Sequence, residues 1–421
     1  MFPRDYACGF LVPSAKVNRC AGVLEAARIA ARPKTLHQNR MAPFLKIGVI
    51  LLLSLLAACG RTSMCDKPDV VCIGSVGPLT GPLSYLGKDQ ENGVQLAVDE
   101  MNARPVLTLG GRKVRFHLTS EDDQGDPKKA ASAAQTLIDT RVKGVIGYTD
   151  STTSVPASKI YSEAGVPQIS PSTTATAYTS QGHKTTFRVM TNQHQQALAL
   201  SDFAVNKMGA KRVAVIDDRT MSGRELADDF AKSVVMAGGE VVQRADADDK
   251  SDAIEMLAAS TKNKNPDLIF YGGTEARAEI LVKQLRSLGM KTLFLGGDGV
   301  QTDGFIRLAG KDAEETMAAS PGLPLEGMPG GKAFKAKYTA RYGAVQSHAP
   351  YAYDAAMALM TAMQKADSAD PAKYLPVLAR LEMNGVSGTV AFDQNGDIKT
   401  GAVTIYRVKN GKWEVVETIS K

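Results

Sequence analysis

Val70-Val-Cys-Ile-Gly-Ser-Val76 is a continuous apolar run bounded by polar residues. A run of this length and composition reads as a strand buried on both faces, the kind found in parallel sheets. Working outward, Gly87 to Ala103 places Val94, Leu96, Ala97, Val98 and Met101 at helical spacing. Val114 to Leu118 alternates as a strand. Asp126-Pro127 then opens a second helix, an N-cap residue followed by proline in the first turn. Gly144 to Gly147 reads as strand, Thr153 to Ala164 as helix and Pro167 to Ile169 as strand. The pattern restarts with helices at 193–208, 223–237, 252–262 and 275–288. Each is followed by a strand, at 212–216, 240–243, 268–271 and 292–295. Strands alternating with helices predict parallel sheets covered on both faces. Two series predict an α/β chain of two doubly wound parallel-sheet lobes. Helices over 332–341, 351–365 and 371–382 follow, then strands with hairpin signals at Asn395-Gly396 and Asn410-Gly411.

Toward the N-terminus, Ile47 to Ala58 is apolar, has Lys46 before it and ends at Leu56-Ala-Ala-Cys59. This reads as a signal peptide with a small-residue cleavage site. It is too short to span a bilayer, which takes roughly 20 apolar residues. The cysteine after Leu-Ala-Ala resembles the bacterial lipobox, so Cys59 is the expected lipidation site, on an exported chain tethered to the membrane. Met41 stands at the right distance to be the start, so residues 1–58 are read as untranslated or cleaved prefix plus signal peptide. Residues 59–69 read as linker.

The chain of 421 residues carries a formal charge of +6. Residues 1–58 hold eight Lys/Arg and two Asp/Glu, which accounts for all of it. The remainder is neutral, so charge gives no reason to expect a nucleic-acid partner. About 360 residues exceed one ordinary core. Cys65 and Cys72 remain, in an oxidising compartment. They form either a short-loop disulfide or a pair whose second member is a buried strand thiol. The five histidines (His37, His117, His183, His194, His348) show no metal-ligand spacing. No Gly-x-Ser-x-Gly elbow occurs. Gly81 to Lys88 misses the phosphate-loop spacing and has Asp89 where Ser or Thr belongs. No cofactor, no metal and no enzymatic activity are expected.

In open α/β sheets ligands bind beyond the carboxyl ends of strands. Tyr148-Thr-Asp-Ser-Thr-Thr-Ser154 enters a helix with Ser151 and Thr152 in its first turn, where hydroxyls and free N–H groups suit a carboxylate. The plain alternative is a capped helix. Ser170-Pro-Ser-Thr-Thr174 offers Ser172, Thr173 and Thr174 at the next strand end, against a plain Ser/Thr turn. Gly296-Gly-Asp-Gly299 sets Asp298 at a strand end of the second series, suited to an ammonium group or to capping a helix. Together these residues could hold both charges of an α-amino acid across a cleft.

Val76-Gly-Pro-Leu-Thr-Gly-Pro82, Asp122-Asp-Gln-Gly-Asp-Pro127, Pro156-Ala-Ser-Lys-Ile-Tyr161, Phe187-Arg-Val189, Asp267-Leu-Ile-Phe-Tyr-Gly-Gly273 and Tyr351-Ala-Tyr-Asp354 occur in this order. As a set they resemble the leucine/isoleucine/valine-binding protein family, substrate-binding components of ABC transporters. The resemblance implies a periplasmic-binding-protein fold with three crossovers, near 189–192, 320–323 and 393–397. Lobe one would take 69–191 and 322–394, lobe two 192–321 and 395–421. It implies a carboxylate contact at Ser151, with Thr152 beside it, and a backbone contact at Ser172. It also implies a bifunctional Thr174 and an ammonium partner at Asp298, one methylene shorter than the family's glutamate. The family's aromatic walls fall on Leu86 (next to Tyr85), Ser222 and Thr274. Arg219, Arg224 and Arg277 are near enough in sequence to enter the pocket, against ordinary solvated positions. The expected function is substrate binding for a transporter, by a monomer that delivers an amino acid or analogue to permease subunits. A sensor of the same fold is the alternative.

Overall fold

The computed structural model describes residues 63–247 and 251–420. Val70–Gly77 is a strand buried along its whole length. Its side chains alternate between two cores: Val71 and Ile73 join one, Val70, Cys72 and Val76 the other. That period of two is what a strand covered on both faces requires. Parallel strands Arg115–Asp122, Val70–Gly77, Val145–Gly147, Gln168–Ser170 and Thr186–Arg188 lie side by side in that order. The order reverses between Val70–Gly77 and Val145–Gly147, and such a switch point leaves a crevice at the strand ends.

The second sheet repeats the plan. Glu240–Asp246, Arg212–Asp217, Leu268–Gly272, Leu293–Gly296 and Met317–Pro321 are parallel. Val213, Val215, Leu268 and Phe270 face one core, and Ala214, Ile216, Ile269 and Tyr271 the other. The antiparallel hairpin Ala402–Lys409 and Lys412–Ser420 completes the edge. Its turn, Asn410-Gly411, has φ of 52° and 68°, the left-handed pair of a type I′ turn. The chain is therefore an α/β protein with two doubly wound lobes.

The cause of each helix is local. Asp126 caps Pro127–Asp139 by accepting from Lys128 N and Lys129 N at 2.8 and 3.0 Å. Ala349–Lys365 is buried nearly all round, as a helix lodged between Ser84–Asn102 and the first sheet must be. Some expected boundaries move. The helix from Gln193 stops at Asp202 and a wider turn, Phe203–Lys207, finishes it. The helix from Pro371 ends at Leu378, and a ribbon of Glu382–Asn384 with Thr389–Ala391 follows. Asn395-Gly396 closes a tight loop with one bridge, Phe392 to Ile398, and no hairpin. Phe392 and Ile398 both pack in the first core, so the return to the second sheet comes at residues 399–401, later than the 395 boundary expected.

Cys65 and Cys72 are joined in a disulfide, so the buried strand sulfur is also the bridged one. Closing so short a loop is worth about 2.5 kcal/mol in the chain-entropy account. Cys65→Ser is expected to lower the unfolding free energy in urea by about that much. Equal midpoints for variant and wild type, both without reductant, would contradict it. Cys59 and the signal-peptide reading lie outside the described residues.

Candidate functional site

A cleft of about 1000 Å³ opens between the carboxyl ends of the two sheets. Ser172, Thr174 and Tyr85 line it from the first lobe and Asp298 from the second. These are the ends where the strand order places a crevice.

The first-lobe wall is built by two loops. After Val145–Gly147, Asp150 caps the helix Ser151–Glu163, accepting from Thr152 N at 2.7 Å. The capping is therefore done by the aspartate and not by the hydroxyl cluster. The hydroxyls are then spent unequally. Thr152 bonds back to Asp150 Oδ1 at 2.5 Å, and Thr153 bonds to Asp150 O at 3.0 Å. Ser154 donates to the same carbonyl at 2.6 Å and shares a close contact with Thr173. Ser151 gives its hydroxyl proton to none of these partners, and its oxygen accepts from Ala175 N at 3.3 Å. That bond joins the helix start to the second loop.

In that loop Ser172 Oγ turns inward to the carbonyls of Tyr148 and Thr149 at 3.0 and 2.9 Å. Its N–H donates to Ser170 Oγ at 3.3 Å, so its carbonyl is what remains for a ligand. Thr173 is fully buried, bonded to Ser170 and Ser154, and faces away from the cleft. Thr174 lines the cleft while its carbonyl accepts from Gln193 N at 2.8 Å. Arg188, with no exposed surface, donates to the carbonyls of Thr173 and Ala175, both at 2.9 Å. It thereby fixes the loop from behind.

On the second lobe, Asp298 follows the strand Leu293–Gly296. Burial pushes its carboxyl pKa above the ordinary range. The backbone N–H groups of Asp298 and Gly299 partly offset this, while Asp150 of the first lobe adds to it. Such a carboxylate, short of solvation, is suited to a ligand cation.

Three expected contacts are not met in this geometry. Thr152 is exposed and tied to Asp150. Thr274, at the N-cap of the helix Glu275–Ser287, gives its N–H and hydroxyl to Asp218 Oδ2 at 2.9 and 3.3 Å and makes no side-chain cap bond. Ser222 turns its carbonyl to Gln193 Nε2 at 3.0 Å. None of these three lines the cleft, and neither do Thr173 and Ser151. The arginines stay out as well. Arg219 pairs with Asp246, Arg224 is exposed, and Arg277 bonds the Asp218 carbonyl.

Several residues that the sequence did not mark meet at the site. Gln193 joins Thr174 of one lobe to Ser222 of the other. Thr176 N donates to Glu225 Oε1 at 3.0 Å, again between lobes. His348 and Tyr351 line the first-lobe wall. No local spacing announces them; they are brought in by the packing of the helix Ala349–Lys365.

The profile of the periplasmic binding protein family matches residues 70–412. The chain belongs to that family, in its leucine/isoleucine/valine-binding branch. A leucine-, isoleucine-, valine-, threonine- and alanine-binding protein of Pseudomonas aeruginosa is 30% identical over 361 residues, covering 84% of this chain and 94% of the relative. The leucine binding protein LivK of Thermotoga maritima superposes with a TM-score of 0.72 at 28% identity, over 83% of this chain and 98% of that one. LivJ of Streptococcus pneumoniae, solved with isoleucine, gives 0.70 at 26% identity over 84% and 100%. This periplasmic binding protein is thus a substrate-binding component and not an enzyme.

Proposed function

We propose that this chain binds an α-amino acid or close analogue between its lobes and delivers it to the permease of an ABC importer. In this reading it is a monomer, lipid-anchored through Cys59 in the periplasm. The observation that carries the reading is that Ser172 and Thr174 of one lobe and Asp298 of the other line a single cleft. Ser151, the Ser172 carbonyl and Thr174 take the two charged ends from the first lobe, and Asp298 takes the ammonium on closure. The relatives' names, which include leucine and threonine, support this substrate class. The crossovers near 189–192 and 320–323, with the third return at 399–401, belong to the same proposal.

The test is a thermal-shift screen of the twenty amino acids against protein freed of carried-over ligand. A stabiliser is expected, since ligand at 100 times its Kd adds about 2.7 kcal/mol. A flat screen at millimolar ligand would count against an amino-acid site. For the anchor, Cys59→Ala is expected to move the protein from the membrane to the soluble periplasmic fraction. Retention of the variant in membranes would contradict the lipid anchor.

A further inference from the structure

The first-lobe wall of the cleft holds two buried polar groups short of hydrogen bonds: His348 Nδ1 has no partner, and the Tyr351 hydroxyl has at most the Leu323 backbone N–H, which leaves its own proton without an acceptor. An unmade bond at such a group is costly, so buried orphans call for a reason. Tyr351 is 5% exposed. Its hydroxyl stands so close to Gly322, in a crossover, that a Cβ there would lie 1.8 Å from it. The hydroxyl therefore lies directly against the Gly322 backbone.

His348 is held as firmly. Asp89, 2% exposed, accepts from the N–H groups of Gln346, Ser347, His348 and Ala349 at 2.8 to 3.0 Å. It also takes the Tyr338 hydroxyl at 2.8 Å. One buried carboxylate thus pins the whole segment that presents the imidazole. Burial lowers the His348 pKa, with Asp89 opposing, so the ring is neutral at pH 7. Among the described residues, the only other titrating charges on this wall are Lys335 and Glu326, which pair with each other at 2.7 Å. The wall therefore offers hydrogen bonds without net charge.

We infer that His348 and Tyr351 form a side-chain subsite for an uncharged hydrogen-bonding group, a carboxamide or hydroxyl, so that the cleft prefers polar α-amino acids to branched aliphatic ones. This rests on the amino-acid reading above. An aliphatic side chain would enclose both orphans, whereas an amide or hydroxyl satisfies them. Sites that hydrogen-bond a ligand group discriminate strongly against analogues that lack it.

The test is calorimetry of the whole protein with glutamine, asparagine, threonine, serine, leucine and isoleucine, on wild type, His348→Phe and Tyr351→Phe. At least one polar ligand is expected to bind wild type about tenfold or more tighter than leucine. His348→Phe is expected to narrow or invert that ratio. Tyr351→Phe removes one hydroxyl without changing shape, and is expected to narrow the ratio with its thermal transition kept. Leucine binding wild type as tightly as every polar ligand overturns the subsite alone. So does an unchanged ratio in a folded Tyr351→Phe. Binding of none of the six overturns it together with the reading it rests on.

Discussion

Arg188→Met is expected to cost about 3–5 kcal/mol of stability and to weaken ligand binding in whatever fraction still folds. The guanidinium is wholly buried, yet each of its edges is used. It donates to Asp397 Oδ1 at 2.5 Å, to Thr179 Oγ1 at 2.6 Å, and to the carbonyls of Thr173 and Ala175. Asn192 Nδ2 adds a bond to Asp397 Oδ2 at 3.1 Å. Burial lowers the Arg188 pKa and Asp397 opposes it, so the pair stands or falls together. Methionine would fill much of the volume but leave Asp397 buried without its countercharge, held only by Thr179 and Asn192, and leave the Thr173 carbonyl without a donor. That carbonyl belongs to the loop that carries Ser172 and Thr174, so the loss reaches the ligand. Arg188→Lys is expected to recover only part of the stability, because an ammonium cannot span the fork of acceptors. The check is urea unfolding followed by titration of the ligand found in the screen. A Met variant within 1 kcal/mol of wild type would refute the structural role.

Asp298→Asn is expected to behave oppositely, losing binding while keeping the fold. Truncating one side of a buried charge pair costs 2–5 kcal/mol, so affinity should fall about 30-fold or more. Stability follows a different sign. Burial raises the folded pKa of Asp298 above the ordinary 3.8. Any stability this group lends is complete below its unfolded pKa and lost as pH rises through the raised folded value. At neutral pH the ionised carboxylate is a burden that Asn relieves, so the unliganded variant should unfold no earlier than wild type. Ligand binding has its own pH course. An ammonium ligand needs the carboxylate, so wild-type affinity should fall as pH drops through the raised pKa, above where an ordinary aspartate would titrate. In Asp298→Asn that fall should be absent. Equal pH profiles for the two proteins would contradict the assignment.

The two predictions differ in how far they could be read from sequence. The apolar run Val70–Val76 and the alternation of strands with helices after it were enough for two doubly wound sheets, because buried runs and period 3.6 are written along the chain. The strand ends then pointed to Ser172, Thr174 and Asp298, since ligand sites in such sheets lie there. What the sequence could not show was which hydroxyls were already spent. Thr152, Thr173 and Thr274 look like Ser172 and Thr174 in composition, but hydrogen bonds assign them to Asp150, Ser170 and Asp218. Arg188 stood in a quoted motif with no partner in view, because Asp397 lies two hundred residues away. His348 and Tyr351 reach the cleft only through long-range packing of one core helix. Local signals place elements; commitments between distant side chains appear only with the fold.

The most direct measurement is a crystal structure with the amino acid that stabilises the protein best. The ligand carboxylate should contact Ser151 or Thr174, and the ligand ammonium the Ser172 carbonyl. That ammonium should also lie within about 3.2 Å of an Asp298 oxygen. A ligand bound outside this cleft, or one whose ammonium ignores Asp298 in the closed form, would contradict the account.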